Sequence, residues 1–165
     1  WSLLEWKISS KPTMLGMITG AVGGLVAITP AAGFVGPVDA IWIGVGVSVI
    51  CYFFVAVVKT KFGYDDSLDA FGVHGVGGIW GALATGLWAS KSVNPAGNDG
   101  FFYGNPGLFL IQLKAVVITI IYSFIVSWVL LKIVEAVMGL RVSEDEERIG
   151  LDLTQHRESG YTMLD

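Results

Sequence analysis

The chain has 165 residues, of which 53% are hydrophobic and only 15% are charged, and it contains 22 glycines. This composition excludes an ordinary soluble domain of this length and indicates a membrane protein. The formal net charge is −4 at pH 7, and the sequence contains no basic patch of the kind that indicates a nucleic-acid partner.

Long uncharged runs separate the charged residues, and they predict an all-α polytopic membrane protein. A bilayer core of about 30 Å needs about 20 helical residues. Residues 1–8 are expected to end a preceding transmembrane helix, and because no initiating methionine precedes Trp1, we expect a truncated chain. Four transmembrane helices are predicted, at 13–35, 38–58, 69–89 and 108–138. The last run exceeds the bilayer core, so it is expected to tilt or project.

Basic residues lie mainly on one side of this four-span topology. That side comprises residues 7–11, residues 59–68 and the tail at 139–165. It holds the following basic residues: Lys7, Lys11, Lys59, Lys61, Arg141, Arg148 and Arg157. The positive-inside tendency places this side in the cytosol. We therefore expect an integral protein of the cell (inner) membrane with a cytosolic C-terminal tail.

Small residues recur at every fourth position of the predicted spans. Gly16, Gly20 and Gly24 show this spacing in the first span, and Gly77 and Gly81 show it in the third. On a helix this spacing leaves a groove in which a second backbone can approach closely. The pattern predicts close helix-helix contacts.

One imidazole, His74, lies near the centre of the third span. Its helical neighbours at i−4 and i+4 are Ala70 and Gly78, which cannot pair with it. Three interpretations stay open: a core histidine bonded to another helix, a metal ligand, or a pore-lining group that handles protons, as an imidazole can near neutral pH. Metal ligation is the weakest, because the other histidine, His156, lies in the tail. We expect no metal or other cofactor.

Nothing in the spans predicts an enzyme. No nucleophile lies near a base at the spacing of a catalytic triad. The glycines around His74 also lack the spacing of a nucleotide-binding loop.

Capping residues predict two helix starts outside the spans. Asp66 or Ser67 is the expected N-cap of the third span, with Asp69 in its first turn. In the tail, Ser143 and Glu146 have the spacing of a capping box, which predicts a short helix.

Three segments resemble the C-terminal part of the ammonium transporter and methylammonium permease family. They are "GLVAITPAAGFVGP" (24–37), "GYDDSLDAFGVHGVGGIWGALATGLWAS" (63–90) and "LLKIVEAVMGLRVSEDEERIGLDLTQHRESGY" (130–161). They occur in the order of the family and together cover nearly the whole chain. The continuous "FGVHGVGG" is similar to the ammonium transporter branch rather than the Rhesus branch.

The resemblance implies an eleven-span protein with an inverted repeat, assembled as a homotrimer with one pore per subunit. The present chain would supply spans eight to eleven and the cytosolic tail. Ammonium, or methylammonium as its analogue, would be recruited outside and deprotonated. Ammonia would then cross an apolar pore, with or without the proton. A neutral molecule avoids the high cost of a bare cation at that depth.

The resemblance also assigns residues to the pore. His74 matches the second of two pore histidines that hydrogen-bond to each other, and the first would lie upstream of Trp1. Asp69, Ala70 and Phe71 match positions at the inner end of the pore or gate. Asp69 is expected to cap and orient the helix rather than to bind substrate, and Phe71 to pack within the same helix.

The tail is similar to the regulatory C-terminus of the family. The matching residues are Gly139, Arg141, Gly150, Asp152 and Thr154, and Thr154 is phosphorylated in plant members. The resemblance implies coupling between subunits and docking of a PII-type nitrogen signal protein on the cytosolic face. An alternative hypothesis is that the same fold serves as an ammonium sensor or as a docking module for a signalling partner.

Overall fold

The computed structural model describes residues 1–160, and these residues form helices and connecting loops without a β-strand. The prediction of an all-α fold is therefore confirmed. The α-helices are α1 Ser2–Ser9, α2 Met14–Ile28, α3 Pro37–Phe53, α4 Lys59–Phe62, α5 Val76–Trp88, α6 Pro106–Met138 and α7 Glu144–Ile149. π-helical turns occupy Phe54–Val58, Phe71–Gly75 and Asp152–His156, and 3₁₀ turns occupy Thr29–Ala31 and Phe101–Tyr103. The chain divides into two compact units, Trp1–Thr119 and Ile120–Asp165.

Three described helices are long and apolar enough to cross a bilayer. They are Met14–Ala31, Pro37–Phe62 and Pro106–Met138. The third predicted span, 69–89, contains a helix over residues 71–88, which is not among these three. Its buried positions touch protein rather than lipid, so this helix needs less apolar surface than a lipid-exposed one.

Helices α2, α3 and α5 pack together and form the core of the first unit. The fully covered side chains include Ala27 on α2, Ile43 and Val47 on α3, and Ala84 on α5. Most of these are small or β-branched. The helices therefore approach each other closely rather than being spaced apart by long side chains.

Two glycines of α5 account for the closest approach. A Cβ atom at Gly81 would overlap the carbonyl group of Ala27 on α2. A Cβ atom at Gly77 would lie 3.3 Å from Val26 and 3.5 Å from the sulfur of Cys51. The predicted close contacts are thus confirmed at Gly77 and Gly81. At Gly24, in contrast, a Cβ atom would have no neighbour within 4 Å.

Candidate functional site

His74 lies in the π-helical turn Phe71–Gly75, which leads directly into α5. In this turn the backbone N–H of Val76 donates to the carbonyl oxygens of both Phe71 and Val73. Single π turns inside α-helices are frequent at functional sites. Of the three π turns in the described residues, this one carries the imidazole of the predicted spans.

The imidazole of His74 is exposed in this chain, and no group of residues 1–160 forms a hydrogen bond with it. One turn further along, a Cβ atom at Gly78 would have no neighbour within 4 Å. The ring thus borders an open, small-residue surface. A hydrogen-bond partner for His74 would have to come from outside the described residues.

The part of the chain that the structure describes contains no group of three or more His, Cys, Asp or Glu residues that could hold a metal ion. Cys51 is buried between the helices, and its thiol lies 3.9 Å from the carbonyl oxygen of Val73. It serves as a packing residue.

Asp66 caps the start of the histidine-bearing helix. Its carboxylate accepts hydrogen bonds from the backbone N–H groups of Ala70 at 2.8 Å, Phe71 at 3.0 Å and Gly72 at 3.4 Å. These N–H groups have no partner inside the helix, and a carboxylate also suits the positive end of the helix dipole. The expected capping role therefore falls to Asp66 rather than Ser67.

Asp69 lies just before the helix rather than in its first turn, so that detail of the prediction is wrong. Its backbone is left-handed, with φ of 54°. Its carboxylate oxygen Oδ1 lies 2.7 Å from Nζ of Lys59. The physical reason is that Asp66 already occupies the free N–H groups, which leaves the Asp69 side chain free to turn toward α4. Sequence reasoning missed Lys59 as a partner, because no local pattern links residues ten positions apart.

Ala70 and Phe71 occupy different environments at this helix start. Ala70 is exposed. The Phe71 ring packs edge-to-face against Tyr64, with ring centroids 5.9 Å apart, and against Phe54 at 6.3 Å. Such ring pairs stabilise the fold beyond the area that they bury. Phe71 is thus a packing residue in this chain, although its side chain remains half exposed.

At the opposite end of α5, tryptophan rings take part in packing. The indole N–H of Trp80 donates to the carbonyl oxygen of Ile43 at 3.0 Å. Trp88 packs edge-to-face against Trp80 with ring centroids 6.2 Å apart, and its ring is tilted against that of Phe102 at 5.2 Å. The rings fill the contacts of α5 with α3 and with the following loop.

The loop before α6 is tied to the start of α3 by a tyrosine. The Tyr103 hydroxyl donates to the Asp39 carboxylate at 3.0 and 3.2 Å. This hydrogen bond raises the pKa of Tyr103, because loss of the proton would place two negative charges side by side. Asp39 also accepts a hydrogen bond from the backbone N–H of Gly36 at 3.3 Å.

In the second unit, the predicted capping box forms at the start of α7. The Ser143 hydroxyl oxygen accepts from the N–H of Glu146 at 3.3 Å, and the Glu146 carboxylate accepts from the N–H of Ser143 at 3.1 Å. The predicted short helix is confirmed as Glu144–Ile149. Hydrogen bonds from Ser143 lower the pKa of Glu146, because they favour the charged carboxylate.

The other tail residues of interest are held by local contacts. Arg141 bonds through Nη2 to the Glu147 carboxylate at 3.1 Å. The Thr154 hydroxyl donates to the Gly150 carbonyl at 2.9 Å, and Asp152 accepts from the N–H of Gly160 at 2.8 Å, which lowers the pKa of Asp152.

Two tail glycines adopt backbone conformations that other residues rarely take. They are Gly139, with φ of 81°, and Gly150, with φ of 111°. Both are therefore required by the path of the backbone.

Comparison with known sequences agrees with this description. The Ammonium Transporter Family profile matches residues 1–161. An ammonium transporter from Bacillus subtilis is 55% identical over 161 residues, which is 98% of this chain and 40% of that protein. An ammonium transporter from Aquifex aeolicus is 52% identical over 163 residues, which is 99% of this chain and 38% of that protein. The chain thus spans about 40% of the length of these relatives.

Among solved structures, the chain is similar to the crystal structure of Saccharomyces cerevisiae Mep2. The TM-score is 0.81 at 33% sequence identity, and the match covers 88% of this chain and 34% of the Mep2 chain. The likeness supports an integral membrane fold of the transporter type, which fits the apolar helices described above.

Proposed function

Because the chain belongs to the ammonium transporter family, we propose that it is part of a protein that conducts ammonium or ammonia across a membrane, with His74 lining the pathway. The family consists of transporters rather than enzymes. The observation that supports the role of His74 is its exposed imidazole, which has no partner within residues 1–160 and lies beside the open surface at Gly78.

The chemistry of an imidazole suits this role. An imidazole can either accept or donate a proton near neutral pH. A bare cation in an apolar pore carries a large desolvation cost, whereas neutral ammonia does not. An outer site would therefore deprotonate ammonium, and a second imidazole from outside this chain would pair with His74.

The start of the histidine-bearing helix would form the inner mouth of this pathway. Ala70 is exposed there, and Phe71 is held by its contacts with Tyr64 and Phe54. Asp69 would orient the helix rather than bind substrate, because its carboxylate already pairs with Lys59.

The experiment uses the full-length protein reconstituted in liposomes, with recordings of ammonium-induced and potassium-induced currents. Replacement His74→Ala is expected to change conductance or the selectivity for ammonium over potassium. The matched control is His156→Ala, which removes the other histidine and should leave both unchanged. Unchanged currents and selectivity in the His74→Ala protein would remove the basis for the pore role.

We also propose that the full protein is a homotrimer in the cell membrane, with its C-terminal tail in the cytosol as a regulatory segment. The resemblance of the tail supports this proposal. The segment would act through Gly139, Arg141, Gly150, Asp152 and Thr154, in part by docking a PII-type signal protein. Deleting residues 139–165 should abolish binding of that protein in a pull-down from reconstituted membranes. Undiminished binding would contradict the docking role, and loss of binding with transport intact would make docking the main task of the tail.

A further inference from the structure

We propose that Lys59 is a positioning residue for the helix that carries His74, and that it acts through its ion pair with Asp69. This inference rests on the proposed transport function and adds a residue that the resemblance does not assign. Lys59 touches neither His74 nor the open surface beside it. Its effect on transport would therefore pass through the backbone at the helix start.

The ion pair joins two helical segments at one end of the first unit. Lys59 belongs to the apolar helix Pro37–Phe62, and Asp69 immediately precedes the helix that leads into α5. Nζ of Lys59 and Oδ1 of Asp69 are 2.7 Å apart, and their side chains are only 28% and 27% exposed. A pair that is largely shielded from water is screened less than a surface pair. The contact therefore restrains the loop between the two helices.

The backbone of Asp69 supports the same conclusion independently. Its φ of 54° is a left-handed conformation that residues with a side chain rarely adopt, although Asp tolerates it better than most. Such a conformation persists only where surrounding contacts hold it. Lys59 supplies the side-chain contact, and the N–H of Val73 donates to the Asp69 carbonyl at 2.8 Å.

A backbone hydrogen bond connects Asp69 to the π turn. Val73, which bonds to Asp69, precedes His74 in the chain. The N–H of Val76 is shared between a π-type bond to Phe71 and a shorter-range bond to Val73. This three-centre bond combines two registers of the turn, and such bonds are common at helix ends. We infer that the anchored Asp69 fixes the register and thereby the direction of the imidazole.

A close contact near the π turn keeps the two helical segments together when the ion pair is absent. A Cβ atom at Gly72 would lie 2.7 Å from Cγ2 of Val55, so the backbone of the helix start already touches the π turn Phe54–Val58. Loss of the ion pair would therefore free the short stretch around Asp69 without separating the helices. A slower transport rate in a variant without the ion pair would therefore reflect the position of the helix start rather than a general loss of stability.

The experiment measures transport rate against ammonium concentration for the full-length protein in liposomes. Lys59→Gln should lower the maximal rate by about fivefold. The half-saturating concentration should stay unchanged, because recruitment occurs at the other face. Lys59→Arg should keep most of the rate. The charge-swapped double variant, Lys59→Asp with Asp69→Lys, should recover part of the rate that Lys59→Gln loses. The matched control is Lys61→Gln, an exposed lysine of the same helix, which should behave as wild type.

Amide hydrogen exchange of residues 70–76 provides a second measurement. Amide exchange should be faster in Lys59→Gln than in the wild type, slower again in the charge-swapped double variant, and unaltered in Lys61→Gln. A wild-type rate with wild-type exchange in Lys59→Gln would overturn the inference. The inference would equally be overturned if the charge-swapped double variant transported ammonium as slowly as Lys59→Gln and both variants had lost thermal stability. Lys59 would then be merely structural. If the wild-type protein failed to transport ammonium, the proposed function would fall and the exchange data alone would decide the role of Lys59.

Discussion

Helices α5 and α6 are both apolar, yet they relate to their surroundings in opposite ways. On α5, Val76, Gly77, Gly81, Ala84, Thr85 and Gly86 are buried, although this helix is the shorter of the two. On α6, none of the 33 residues is buried in this chain. Hydropathy therefore identifies a span, but it does not tell which spans form the core.

Side-chain size explains the difference between the two helices. Where α5 meets α2, the residues are small enough for backbones to touch, as at Gly81 and Ala27. On α6 the exposed residues include large side chains such as Tyr122, Phe124 and Trp128. Even near the start of α6 the contact uses a glycine, since a Cβ atom at Gly86 would lie 2.8 Å from Cα of Phe109. In a bilayer, packing gains come from such close approach, because lipid is as apolar as the helices.

The largest expected effect comes from adding a side chain at the close contact between α5 and α2. Gly81→Ala places a methyl group against the Ala27 carbonyl, so one of the two backbones has to shift. Overpacking of this kind costs about 1–3 kcal/mol. The thermal unfolding midpoint of the full-length protein should fall accordingly. In the matched control Gly44→Ala the added methyl group meets nothing within 4 Å, and stability should be equal or higher. Equal unfolding midpoints for the two variants would show that the absence of a side chain at Gly81 is not required for the packing of α5 in the core.

The next effect tests the start of the α5 helix. Asp66→Ala removes the acceptor of the N–H groups of Ala70 and Phe71, and losing such a cap costs about 1 kcal/mol. Amide exchange of residues 70–72 should accelerate by about fivefold. Asp65→Ala is the matched control, because this exposed neighbour makes no hydrogen bond within the described chain. An equal response to both substitutions would mean that Asp66 is not the cap.

A smaller effect is expected in the loop that precedes α6. Tyr103→Phe removes the hydrogen bond to Asp39, and the loss should be about 0.5–1 kcal/mol because the pair is exposed. The folded pKa of Tyr103 is raised, so this contribution is complete below the ordinary value of about 10 and disappears as the pH rises through the folded value. The difference in tyrosinate absorbance between wild type and Tyr103→Phe gives the titration curve of this one residue. A midpoint at or below the ordinary value would contradict the hydrogen bond.

The smallest effect concerns the short helix α7, which follows α6. Ser143→Ala removes one half of the capping box, and exchange of the Glu146 and Glu147 amides should rise by about threefold. Asp145→Asn, an exposed change in the same helix, is the control. Because the folded pKa of Glu146 is lowered, its contribution is present above its ordinary value and is lost as the pH falls through the folded value. Protection of α7 that did not decline in acid would contradict this account.

Local patterns in the sequence predicted several features correctly. The capping box at Ser143, the cap at Asp66 (predicted as Asp66 or Ser67) and the close contacts at Gly77 and Gly81 each depend on residue types at fixed short spacing. The position of Asp69 was predicted wrongly, because the spacing could not reveal that Lys59 attracts its side chain. The hydrogen bond between Tyr103 and Asp39 joins residues 64 positions apart and had no sequence signal at all.

The sequence by itself determined the all-α membrane class, the segments that become helices, their caps and the family of the chain. These properties depend on hydrophobic content, on hydrogen bonding within a few residues and on the order of motifs. Only the tertiary structure decided that α5 packs into the core together with α2 and α3, that Asp69 turns toward Lys59, and that His74 lies in a π turn. Such features arise where distant segments meet. Their energies depend on distances between atoms that the order of residues does not specify.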